Sequence, residues 1–90
     1  MTTLSVIILT QGRETLARTL ASLGPAGLRS RDQVLVMGDG YNADAERVVR
    51  ESGLKQARYI VTPSAVDWGN TPRNIALAKY ARRDYVAFVD

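Results

Sequence analysis

Apolar residues recur along the chain in two alternating rhythms. Leu4-Ser5-Val6-Ile7-Ile8-Leu9-Thr10 is nearly continuous, as expected of a strand covered on both faces. From Glu14 to Leu23, Leu16, Leu20 and Leu23 recur at helical spacing, and Gly24-Pro25 stops the pattern. Gln33 to Met37 predicts a second strand. Asn42 is placed to cap a helix from Ala43 to Ser52 that buries Val48 and Val49, with Gly53 ending it. Arg58-Tyr59-Ile60-Val61 predicts a short third strand, and Thr62-Pro63-Ser64 opens a loop. Thr71-Pro72 predicts an N-cap followed by the first helical position, where proline's missing donor costs nothing. Ile75, Leu77, Ala78 and Ala81 form the expected apolar stripe of that helix. Asp84 to Asp90 predicts a buried strand delivering a carboxylate to its C-terminal end.

The order βαβαβαβ predicts an α/β fold: an open, mostly parallel sheet of about four strands with crossover helices. No internal repeat or linker divides residues 1–90, so one domain is expected. Ligands of such sheets gather beyond the carboxyl ends of the strands. Asp90 sits at such an end and is the last residue of the sequence. The expectation is therefore a ligand-binding half without the half that would complete the site.

Composition narrows the chemistry. The hydrophobic share of 46% is that of an ordinary globular chain. Cysteine and histidine are both absent, which excludes a disulfide scaffold, a thiolate zinc site and histidine-based catalysis within this chain. Any metal must be a hard cation held by oxygen ligands. No window approaches a membrane span, and Met1-Thr2-Thr3 lacks the basic start of a secretory signal, so a cytoplasmic location is expected. The net charge is +3, with the arginines scattered. Arg29-Ser30-Arg31 and Arg82-Arg83 read as solvated loop or helix-end charges. A nucleic-acid surface would need a denser, one-sided cluster with interleaved aromatics, and none is expected.

Three strand ends carry polar residues destined for one edge of a parallel sheet: Thr10-Gln11-Gly12-Arg13, Gly38-Asp39-Gly40 and Asp90. Asp39 fits a carboxylate accepting hydrogen bonds from a base or ribose, with glycine letting the ligand approach the backbone. Taken alone it equally fits a turn aspartate capping the next helix, but alongside the other strand ends the ligand reading leads. Gly38-x-Gly40-x-x-Ala43 matches the dinucleotide fingerprint formally, but an anionic Asp39 inside the loop would repel a pyrophosphate. Arg73, in the first turn of a helix, suits a diphosphate contact, and so does Arg13; either also fits an ordinary surface arginine. Asn74 reads as structural; Trp68 fits a cover over a ligand, but a lone tryptophan more often packs a long loop onto the core. Asp90 reads as a metal or ribose ligand, or as a helix cap.

Ser5 to Arg13, Val34 to Gly40, Gly69 to Leu77 and Asp84 to Asp90, in that order, resemble the N-terminal nucleotide-binding half of a GT-A glycosyltransferase of the family 2 type. The resemblance covers essentially the whole chain. It implies that Thr10, Arg13 and Asp39 hold the nucleotide base, that Arg73 lies near the nucleotide, and that Asp90 is the first acid of a D-x-D motif. It further implies Mg²⁺ or Mn²⁺, held in part by Asp90, and a UDP-, GDP- or dTDP-type sugar donor with an acceptor not specified. Leu9-Thr10-Gln11-Gly12-Arg13 replaces the family's Pro-Thr-Tyr-Asn-Arg loop, and Gly38-Asp39 keeps one of its usual paired acids. No catalytic base is assigned within the chain, which alone is expected to bind nucleotide weakly and to transfer nothing.

Overall fold

The computed structural model describes residues 2–9, 13–24, 27–64 and 70–89, with the side chains of all of these except Arg13 and Glu14. The expected alternation is present. Strand β1 (Leu4–Leu9) is followed by helix α1 (Arg13–Leu23), β2 (Gln33–Asp39), α2 (Ala43–Glu51), β3 (Ala57–Thr62), α3 (Asn70–Ile75) and β4 (Tyr85–Val89). A π-helical segment, Ala76–Tyr80, continues α3. The four strands form one parallel sheet in the order β3-β2-β1-β4.

That order explains the sequence pattern. The chain steps outward from β1 to β3, then returns to the far side of β1 for β4. A reversal of winding sends the intervening helix to the opposite face of the sheet. Accordingly Val6, Ile8, Val34 and Val36 pack with Leu16, Leu20, Ala45 and Val49, the inner stripes of α1 and α2. The alternate residues Ile7, Leu9, Leu35 and Met37 pack on the other face with Ile60 and Ala76. Both faces of β1 and β2 are therefore dry, which is why their runs are continuous rather than alternating.

Local signals act as expected in α2. Asn42 has extended backbone angles and its side chain accepts the Ala45 N–H at 3.0 Å. Gly53, at φ +74, follows the helix in the left-handed region that glycine adopts without strain. Ala45 and Val49 are buried there, while Val48 is only partly covered.

Three sequence expectations fail. The helix after the long loop begins at Asn70, so Thr71 lies inside its first turn rather than capping it; Pro72 remains in that turn and is buried. The Ala81 N–H reaches back five residues to the Ala76 carbonyl at 2.8 Å. This wider turn rotates the helix face. Pro72, Ile75, Ala76, Tyr80 and Ala81 point inward, and Leu77 and Ala78 point out. Strand β4 is also not buried. It lies at the sheet edge, and Tyr85, Val86 and Phe88 are all substantially exposed. Among the described residues, no helix is long and apolar enough to cross a membrane.

Candidate functional site

Because all strands are parallel, their C-terminal ends share one rim. Strands β1 and β4 are neighbours on opposite sides of the reversal in strand order, the position where open α/β sheets form a ligand crevice. Leu9 and Val89, the last residues of these strands, are level with Met37 and Ile8 respectively.

Asp39 is the final residue of β2, paired with Thr62 of β3, and its side chain is exposed. The turn after it is held from both sides. The Gly40 N–H donates to the Thr62 carbonyl at 2.8 Å, and the Thr62 hydroxyl donates to the Gly38 carbonyl at 2.9 Å. The Asn42 N–H donates to the Tyr59 hydroxyl oxygen at 2.9 Å. Gly40 has φ +86, a conformation that requires glycine here.

These contacts separate the two readings of Asp39. The cap of α2 is the Asn42 side chain, so the carboxylate does not serve as that helix's N-cap. The role expected of the flanking glycine is different, however. A Cβ on Gly38 would lie 2.6 Å from the Tyr59 hydroxyl oxygen, so the room beside Gly38 is filled by the chain's own tyrosine and not left for a ligand.

Tyr41 is a residue that the sequence reading overlooked. It is 62% exposed two positions beyond Asp39, and its ring meets Tyr59 edge-on at 6.3 Å. Its hydroxyl donates to Glu46 at 3.1 Å, and this bond raises the phenol's pKa. An aromatic directly after a Gly-Asp-Gly turn was the available signal.

Arg73 is half-buried in α3, which packs over β1, β2 and β3. Since α3 follows β3, its first turn belongs to the same end of the sheet as Asp39. Asn74, beside it, is exposed. Thr10 and Asp90 lie outside the described residues, as do Trp68 and the side chain of Arg13. Among the described residues, no group of three or more acidic residues converges as a metal centre. The described side chains by themselves therefore do not fit a divalent cation.

Asp32 is a carboxylate to which the sequence pattern assigns no role. It is nearly buried at the opposite, N-terminal rim, where it accepts the N–H groups of Arg29 and Leu4, each at 2.9 Å. The bond from Arg29 is the main reason its pKa lies below the usual carboxylate value, with Leu4 adding to it against the opposing effect of burial. Next to it the Gln33 side chain accepts from the Ser5 hydroxyl at 2.7 Å and from the Arg82 N–H at 2.9 Å. This rim is a structural clasp.

Compared with known proteins, the chain matches no protein-family model and no curated sequence.

Proposed function

We propose that the chain is the nucleotide-diphosphate-sugar-binding part of a glycosyltransferase that moves a sugar to an acceptor hydroxyl. The observation that carries the reading is the sheet order β3-β2-β1-β4, with an exposed Asp39 on the same rim, one strand away from the reversal point. Support also comes from the ordered sequence resemblance, which runs through the same strand ends.

In this reading Asp39 accepts a hydrogen bond from a base N–H or a ribose hydroxyl. Its rigid turn fixes the acceptor before the ligand arrives, which lowers the ordering cost of binding. Arg73 offsets negative charge on the diphosphate, the charge that grows as the sugar departs. Thr10, Arg13 and Asp90 belong to the same proposal on the strength of the resemblance. So does dependence on Mg²⁺ or Mn²⁺.

The test is an NMR titration with UDP and Mg²⁺. Amide shifts are expected at Gly38 to Gly40 and at Arg73 and Asn74, and Asp39→Asn is expected to weaken UDP about tenfold, the scale of one lost charge-assisted hydrogen bond. Equal shifts with NAD in the absence of metal would point instead to a dinucleotide-binding module, the reading suggested by Gly38-x-Gly40-x-x-Ala43. Silence towards both ligands would end the nucleotide proposal.

A further inference from the structure

The arginines that are scattered in sequence meet at one end of the folded chain. The N-terminal rim of the sheet is built from turns at residues 27–32, 52–56 and 81–84. Arg83 Nε donates to the Arg31 carbonyl, tying the last of these turns to the first. Gln56 Nε2 donates to the Arg29 carbonyl at 3.0 Å, tying in the middle one. The Tyr85 N–H donates to the Thr3 carbonyl at 3.1 Å and seats β4 against the same end.

Arg29, Arg31, Lys55, Arg82 and Arg83 are all exposed on these turns. The turns hold two carboxylates. Asp32 is nearly buried and occupied by two backbone N–H groups, and Asp84 accepts from the Thr3 N–H at 3.0 Å. Five cations against two carboxylates leave the three turns at +3, the net charge of the whole chain. Beside them Tyr85 is 64% exposed and borders, with Arg29 and Thr3, a cavity of about 330 Å³.

We propose that this end of the protein docks on anionic phospholipid bilayers. Among the described residues the basic side chains stand on turns and not along a helix or strand that could lie in a nucleic-acid groove. Arginine stems and a tyrosine ring, each apolar along its body and polar at its tip, suit the headgroup layer of a bilayer. The exposed cations face an acidic leaflet whose potential extends about one Debye length, roughly 8 Å at physiological salt. Docked this way, the C-terminal rim at the other end of the strands faces away from the membrane. The proposal is independent of what that rim binds.

The experiment is co-sedimentation with phosphatidylcholine vesicles that contain or lack phosphatidylserine. Binding is expected only with phosphatidylserine and is expected to fall as salt rises. Arg31→Gln combined with Arg82→Gln should weaken it about 25-fold, at roughly fivefold per cation. Arg18→Gln combined with Arg47→Gln removes the same charge from exposed positions midway along α1 and α2 and should leave binding within about twofold. Equal loss in both double variants, or no binding of the unaltered protein to phosphatidylserine vesicles, overturns the proposal. Tighter binding to single-stranded RNA than to phosphatidylserine vesicles at the same salt also overturns it, in favour of a nucleic-acid surface. If a double variant loses its fold by circular dichroism, the unaltered protein on the two vesicle types decides alone.

Discussion

At the scale of single residues, the polar groups that matter most are the ones held by backbone. Asp32 looks like one more loop charge next to Arg29 and Arg31, yet it joins the start of β1 to the turn before β2. Its folded pKa lies below the unfolded value of about 3.9. The stabilisation it supplies is therefore complete above that value and is lost as pH falls through the lower, folded pKa. Asp32→Asn is expected to lower Tm near neutral pH, with the gap to the unaltered protein narrowing below about pH 4. Thermal melts across pH check this, and a gap of constant size would rule out the ionised carboxylate as the source. Gly38 teaches the complementary lesson. A glycine beside a possible ligand site invites the idea of close ligand approach, but here Tyr59 occupies the space. Only a residue brought from another strand could reveal that.

At the scale of elements, strand positions were more legible than helix faces. Continuous runs in β1 and β2 announce burial on both sides, and Asn42 and Gly53 mark the ends of α2 by their own chemistry. The inner face of the third helix was not legible, because the switch to a π-helical turn at Ala76 changes the angle between successive residues. Leu20 is almost wholly buried between α1 and the sheet, whereas Leu77 is 45% exposed. Leu20→Ala is accordingly expected to cost about 2–5 kcal/mol. Leu77→Ala should stay within about 0.5 kcal/mol, as surface changes do. Urea denaturation of both variants checks the contrast, and comparable losses would contradict the inward face assigned to the third helix.

At the scale of the whole molecule, order of burial follows order in the sheet. β1 and β2 are central and dry on both faces, while β4 pairs on one side only and is exposed along much of its length. Native-state hydrogen exchange is expected to find the slowest amides in β1 and β2 and much faster ones in β4, since local opening is easiest where few apolar contacts must break. Equal protection across the four strands would count against this gradient. The same architecture separates the two rims: Asp39 at one, the arginine-rich turns at the other.

The alternation of strands and helices, the parallel sheet it requires and the cap of α2 were determined by sequence alone. Periodicity and capping depend on neighbours within a few residues, so local reading reaches them. What tertiary structure alone decided was non-local. It made β4 an edge strand, gave the room beside Gly38 to Tyr59, and set Asp32 as a clasp. It also gathered Arg29, Arg31, Arg82 and Arg83, which lie up to 54 positions apart in the chain, onto one end of the molecule. Each of these depends on which segments become neighbours in space, and that follows from the order of strands rather than from any single stretch of residues.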